Sequence, residues 1–216
     1  MNPIPTRMVA ALVAVVTALT IAACTSQADS TPSGQTGSGT SETPVITGAP
    51  AGYNADDVLF ATNVVSDHQQ AIELSNLVAD RTANPELAEL ADRMVAAQQP
   101  EINIMNVFLV QWRENPEART GPSAREGGEG QAKQGPDMPG IVDDATMEKL
   151  KSLRGTEFDV LWLTSMISHQ QGAAERADAE IANGLNVDAV AMARTMAARQ
   201  EAEITQMQQI LEGSRP

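Results

Sequence analysis

The chain has 216 residues and a formal net charge of −14 at pH 7, from 28 acidic and 14 basic side chains. A chain this acidic is not expected to bind nucleic acid, which needs a cationic surface, or to dock on anionic lipid through charge. Aromatic residues form only 3% of the chain, and there are 10 methionines. This composition favours packed helices over a sheet, and the length allows one domain with or without a tail.

The N-terminal residues have the pattern of a bacterial lipoprotein signal peptide. Arg7 precedes the apolar run Met8–Ala23, which ends at Cys24. A run of about 16 residues is short for a membrane-spanning helix. We predict that residues 1–23 are removed and that Cys24 is lipidated, which anchors the protein to the cell membrane outside the cytoplasm. An ordinary secretory signal or an uncleaved anchor is the alternative, with Cys24 incidental.

The next segment, residues 24–54, consists mainly of Ser, Thr, Gly and Pro. Such a segment cannot bury enough apolar surface to offset the entropy lost on ordering. We therefore predict a disordered tether, with ends on the order of 30 Å apart.

Two helices are predicted next, from near Asp56 to Arg81 and from Pro85 onward. Asn84 is suited to cap the second helix, with Pro85 at its first position. Pro100 lies inside this helix and predicts a local kink. The second helix also shows the clearest apolar period of the chain, at Leu87, Ala91, Met94, Gln98, Glu101, Met105, Phe108 and Trp112.

The remaining elements follow a Gly/Pro/Glu-rich loop over residues 114–143. A short helix is predicted over Asp144–Leu153 and a long one from about Thr156 to Ala182, ended by Asn183-Gly184. The last predicted helix spans roughly Asp188–Glu212.

The two long helix pairs are copies of one another. Without a gap, positions 57–109 match 159–211 at 17 of 53 residues. Each pair is a hairpin that cannot cover its own apolar face, so the pairs are expected to pack together. We predict an all-α, four-helix bundle of ferritin-like type over 55–212, with pseudo-two-fold symmetry between repeats 55–113 and 156–212. Two separate hairpins are the alternative.

Glutamates lie in the middle of the apolar stripe in both copies. The duplicated stripe consists of Met94, Gln98, Glu101 and Met105, and of Met196, Gln200, Glu203 and Met207. Met is a good core filler, but a buried carboxylate is costly unless it is paired or binds an ion. The structural alternative is that Glu101 and Glu203 pair with Arg93 or Arg194, or lie at a wet edge.

The two histidines occupy the same region of the two copies but differ by one position. His68 aligns with Gln170, and Asp67 aligns with His169; Met166 precedes His169 by three residues. Imidazole and thioether ligands favour copper, particularly Cu(I), while zinc remains possible with His and carboxylates. Structural histidines are the alternative. The candidate metal ligands are His68, His169, Met166, Asp67, Met94, Met105, Met196, Met207, Glu101 and Glu203.

Several enzyme classes lack their required residues. A di-iron centre needs Glu three residues before each histidine, where this chain has Val65 and Met166. The sequence also has no nucleophile elbow, no Gly-rich phosphate loop and no evident acid–base pair in a cleft. No catalytic activity is expected.

These motifs resemble a known family, domain of unknown function 305. The resemblance covers about 55–212 and lies in Asp57…Asp67-His68-Gln69-Gln70-Ala71, Phe158-Asp159…His169-Gln170-Gln171-Gly172-Ala173, Gln98…Glu101-Ile102…Met105 and Gln200…Glu203-Ile204…Met207. It implies a ferritin-like, exported protein, in a family that includes periplasmic copper-binding members with His and Met ligands.

The chain departs from the family pattern at its paired histidines, which are Asp67-His68 in one copy and His169-Gln170 in the other. A metal site carried over from the family would keep His68 and His169 with Met ligands. We therefore expect a lipoprotein that binds copper for sequestration or delivery. The alternative is a metal-free module that binds an envelope protein, with Gln–Glu hydrogen bonds across the pseudo-two-fold axis.

Overall fold

The computed structural model describes residues 51–120 and 138–214. Within these ranges the chain is helical apart from short connections and one isolated bridge between Tyr53 and Arg119. The helices are α1 (Ala55–Asn76), α2 (Pro85–Glu114), a 3-10 turn (Pro116–Ala118), α3 (Asp144–Ser152), α4 (Gly155–Asn183) and α5 (Val187–Gly213).

The predicted signal peptide, Cys24 and most of the tether lie outside the described residues. None of the helices in 51–120 and 138–214 combines the length and the apolar character needed to cross a bilayer.

An asparagine caps the second long helix of each hairpin. The side chain of Asn84 accepts hydrogen bonds from two backbone N–H groups of α2, and Asn186 does the same for α5. Each cap satisfies N–H groups that have no partner within the helix. The predicted start of α2 at Pro85 is confirmed. The helix continues through Pro100, and the kink there stays a prediction.

Helix α1 ends at Asn76, five residues before the predicted end at Arg81. The indole Nε1 of Trp162 donates to the carbonyl oxygen of Leu74 at 2.8 Å. That oxygen would accept from Val78 in a continuing α-helix, but Val78 donates to Ser75 instead. The α-helix therefore ends where the Leu74 carbonyl accepts from Trp162 Nε1 and, in a tighter turn, from Leu77 N.

The four long helices form two antiparallel hairpins, α1 with α2 and α4 with α5, and the hairpins join mainly through α1 and α4. Along that contact, hydrogen bonds join Asp57 to Leu185, Asp67 to Arg176, and Leu74 to Trp162. Rising numbers on α1 therefore pair with falling numbers on α4, as a two-fold relation requires. The predicted all-α bundle of ferritin-like type is confirmed.

The core has two apolar clusters separated by buried polar groups. One, the Trp162 cluster, contains Leu74, Met94, Met166 and Met207 among others. The second, the Tyr53 cluster, contains Phe60, Val64, Met105 and Met196 among others. On each long helix, buried polar residues separate the two clusters along the chain. We call this set the polar layer: Asp67, His68, Gln98, Glu101, His169, Gln170, Gln200 and Glu203, with the half-buried Arg199.

Candidate metal centre

Glu101 is the centre of a charged network that joins the two hairpins. Its Oε2 atom lies 2.8 Å from His68 Nε2 and 2.7 Å from Arg199 Nη2, and Arg199 Nη1 contacts Oε1. Burial alone would raise the pKa of Glu101, but hydrogen bonds from His68 and Arg199 lower it below its usual value. The carboxylate is therefore ionised at neutral pH, and His68 carries its proton on Nε2 to donate to it.

The second repeat places a weaker version of this contact at the equivalent positions. Gln170, which aligns with His68, donates to Glu203 Oε2 at 2.6 Å. Arg199 Nε lies 3.5 Å from Glu203 Oε1. Burial raises the pKa of Glu203 to about 7, with Glu101 adding to the rise and Arg199 opposing it. The same scaffold thus holds one firmly ionised glutamate and one that titrates near neutrality.

The alternative that these glutamates pair with Arg93 or Arg194 was wrong. Arg93 instead contacts Glu89 and Gln206 at the surface. The true partner, Arg199, has no counterpart in repeat one, where Ala97 stands at the equivalent position. The one available signal was its position four residues before Glu203, on the same helical face.

His169 is buried and has no polar partner among residues 51–120 and 138–214. Only 1% of the residue is exposed, and neither ring nitrogen has a hydrogen-bond partner within the described protein. Burial lowers the pKa of His169 from 6.5 to about 3, and Arg176 and His68 act in the same direction. The imidazole is therefore neutral at physiological pH, with a ring nitrogen lone pair that can bind a metal ion.

The five candidate methionines are divided between the two clusters. Met94, Met166 and Met207 pack together in the Trp162 cluster, and Met166 precedes His169 by three residues, on the same face of α4. Met105 and Met196 lie in the Tyr53 cluster. The structure thus places three of these thioethers in one cluster, where Met166 lies one helical turn from His169, and two in the other cluster, across the polar layer.

Asp67, which aligns with His169, is already paired. Arg176 Nε donates to Asp67 Oδ2 at 2.7 Å. Burial raises the pKa of Asp67, and Arg176 opposes the rise. Any metal ion at Asp67 would compete with this ion pair.

A short backbone segment, Met138–Val142, lies across α1 and α4 beside this pair. Arg176 Nη1 donates to Pro139 O at 2.9 Å. Gln70 exchanges two hydrogen bonds with Val142: its Oε1 accepts from Val142 N at 2.9 Å, and its Nε2 donates to Val142 O at 2.8 Å. Gly172 lets the segment approach, since a Cβ there would lie 2.2 Å from Pro139 O. We call Met138–Val142 the strap; it packs directly on the backbone of Ser168 and His169 through Gly140.

Within residues 51–120 and 138–214, no three His, Cys, Asp or Glu side chains lie close enough to hold a metal ion. Two of the carboxylates are instead paired with arginines, Glu101 with Arg199 and Asp67 with Arg176. A metal centre of the hard, carboxylate type is therefore not preformed among these residues. His169, with Met166 one helical turn before it on α4, is the remaining candidate.

Comparison with known proteins gives the family. The model of the family described as domain of unknown function (DUF305) matches residues 57–211. The chain belongs to this family. Among curated proteins, it is 35% identical over 54 residues to the uncharacterized protein L153 of Acanthamoeba polyphaga mimivirus, which covers 25% of this chain. The match covers 36% of that relative's length.

Solved structures of the same fold include a DUF305 protein of Streptomyces coelicolor, inferred to be secreted. It has a TM-score of 0.62 and 29% identity over 74% of this chain and 94% of its own. CopM in its Cu(II)-bound form has a TM-score of 0.58 and 24% identity, over 76% of this chain and 99% of its own. The Cu(I)-bound form of CopM has a TM-score of 0.58 and 22% identity, over 74% of this chain and 98% of its own. The likeness to CopM is one of fold.

Proposed function

We propose that this DUF305 protein binds a soft metal ion, copper, for sequestration or delivery outside the cytoplasm, where a lipid on Cys24 anchors it to the membrane. In this proposal it has no catalytic activity. The observation that carries the proposal is His169, a buried neutral imidazole whose ring nitrogens have no partner in the described chain.

A buried nitrogen without a partner is costly, so such a group calls for a ligand. Three buried thioethers, of Met94, Met166 and Met207, share the Trp162 cluster, and Met166 lies one helical turn before His169 on α4. Imidazole with thioethers is a donor set that suits Cu(I), whereas carboxylates and water suit harder ions. His68 is the less available imidazole, because it is bonded to Glu101.

Two comparisons support the proposal. CopM, which has the same fold, is known in Cu(I)-bound and Cu(II)-bound forms. A location outside the cytoplasm is supported by the Streptomyces coelicolor protein, inferred to be secreted, and by the lipoprotein pattern of Arg7 to Cys24.

The test is a Cu(I) titration against a chromophoric chelator under reducing conditions. His169→Gln is expected to weaken Cu(I) binding by more than about tenfold, since it removes the one nitrogen ligand. Met166→Leu, which conserves volume, is expected to weaken it as well. Met105→Leu in the opposite cluster is the matched control and should bind as the wild type does.

X-ray absorption at the copper edge checks the ligands directly, with sulfur and one nitrogen expected around the ion. Wild-type affinity in His169→Gln, or a copper shell of oxygen and nitrogen alone, would reject the proposal.

The second candidate function is a metal-free module that binds another envelope protein. It is favoured by the closed network of Glu101, His68 and Arg199, which needs no ion. Its expected Gln–Glu bond is present between Gln170 and Glu203, but within one hairpin rather than across the axis. This candidate predicts no gain of stability with copper and a specific partner in cross-linking of intact cells.

A further inference from the structure

We propose that Arg199 is a built-in cation that excludes divalent metal ions from the polar layer. The inference deepens the proposed function by naming what the centre of the bundle rejects. It rests on different residues from the copper site, so the two can fail separately.

The position of the guanidinium carries the inference. Arg199 donates through both terminal nitrogens to Glu101, and its Nε lies 3.5 Å from Glu203. It therefore contacts two buried carboxylates, and His68 Nε2 shares the Oε2 atom of Glu101 with it, at 2.8 Å. One imidazole and two carboxylates are donor types that suit Zn(II) or a similar divalent ion, but with Arg199 in place they do not form a preformed metal site among the described residues.

The guanidinium is a feature of repeat two and has no equivalent in repeat one. The position equivalent to Arg199 in repeat one is Ala97. Glutamates, in contrast, stand at the same place in both repeats. Without Arg199 the two glutamates and His68 would be buried with no compensating charge, a state that a divalent cation stabilises strongly.

The charge of Arg199 also predicts a selectivity between divalent ions and Cu(I). A divalent ion that entered between Glu101 and Glu203 would have to displace a bidentate guanidinium or share the space with it at a cost in repulsion. Cu(I) at His169 and the Trp162 cluster needs neither carboxylate. The protein can therefore accept a soft monovalent ion while divalent ions find no free carboxylate pair.

The experiment is a Zn(II) titration of the purified protein by calorimetry and thermal unfolding. Arg199→Ala is expected to bind Zn(II) at least about tenfold more tightly than the wild type, with a higher Tm when Zn(II) is present. Arg199→Lys keeps the charge and should not gain Zn(II) binding. Arg93→Ala removes a surface arginine of equal charge and should behave as the wild type.

Second substitutions assign the ligands. Adding His68→Gln or Glu203→Gln to Arg199→Ala should abolish the gained Zn(II) binding. If Arg199→Ala is unfolded without metal, Zn(II) should restore its helical circular dichroism, and failure to do so would overturn the proposal.

A measurement on the unaltered centre provides an independent check. The wild type and His68→Gln should bind Zn(II) equally weakly, because Arg199 already blocks the layer. Tight wild-type binding that His68→Gln removes would overturn the inference, as would a folded Arg199→Ala that binds Zn(II) no better than the wild type. Neither outcome bears on Cu(I) binding at His169.

Discussion

The two repeats place the same helices around the polar layer but compensate its charges differently. In repeat one, His68 binds Glu101 and Asp67 binds Arg176. In repeat two, Gln170 binds Glu203, while His169 has no polar partner in the described chain. Both arginines that complete repeat one, Arg176 and Arg199, come from repeat two.

This difference is the basis for proposing a structural role for the paired groups of repeat one and a binding role for repeat two. Repeat one has a network with paired charges, which needs no ligand. Repeat two has a buried, neutral imidazole without a polar partner in the described chain, one helical turn from Met166, and this is the group to which the copper proposal assigns a ligand. Four predictions would break or sharpen this comparison.

The largest effect is expected from Arg199→Ala without metal. It leaves Glu101 buried with His68 as its one remaining partner, and losing one member of a buried ion pair costs roughly 3 kcal/mol of unfolding free energy. Arg93→Ala, whose partner is exposed, should cost less than about 1 kcal/mol. Urea unfolding followed by circular dichroism measures both, and equal losses would mean that the network is not a stabilising unit.

The next effect concerns Glu180, whose counterpart in repeat one is Val78. Burial and the neighbouring Asp57 raise the pKa of Glu180 to about 8, from 4.5. A raised folded pKa means that the unfolded state ionises first, so this group lowers stability as pH rises from 4.5 to 8. Over that range the loss is on the order of a few kcal/mol.

Glu180→Gln should remove this loss, so its unfolding free energy should fall less between pH 5 and pH 8 than that of the wild type. Urea unfolding at a series of pH values checks the prediction. Parallel pH profiles for the two proteins would contradict it.

A smaller effect is expected from Gly172→Ala, which tests the strap. The new Cβ would lie 2.2 Å from Pro139 O, a backbone atom that must move. Overpacking of this kind costs about 1–3 kcal/mol, and Met138–Val142 should exchange its amide hydrogens faster. Gly213→Ala is the control, because a Cβ there meets nothing within 4 Å. A strap with unchanged hydrogen exchange in Gly172→Ala would count against its close packing on α4.

The smallest effect is expected from His68→Gln, which gives repeat one the residue of repeat two. A glutamine amide can donate to Glu101 as Gln170 donates to Glu203 at 2.6 Å. Because the hydrogen bond is replaced rather than lost, the unfolding free energy should change by less than about 1 kcal/mol. A loss as large as that of Arg199→Ala would show that the imidazole has a structural role of its own.

Most of the fold was predictable from local sequence. The Asn84 cap and Pro85 placed the start of α2, and the period from Leu87 to Trp112 identified its buried face. The end of α1 was not predictable from local sequence, since the Leu74 carbonyl there accepts a hydrogen bond from Trp162, which is 88 positions away in the chain. The roles of 1–23, Cys24 and 121–137 stay predictions, because these residues lie outside the described ranges.

By itself the sequence determined the helices, the duplication, the family and the presence of carboxylates, imidazoles and thioethers in the core, because caps and helical periods are local properties. Only the tertiary structure decided which of these groups are paired. Arg199 reaches Glu101 over 98 positions, and Arg176 reaches Asp67 over 109. Helix packing decides which residues so distant in sequence become partners. That packing gave His68 a polar partner, and it gave His169 none in the described chain.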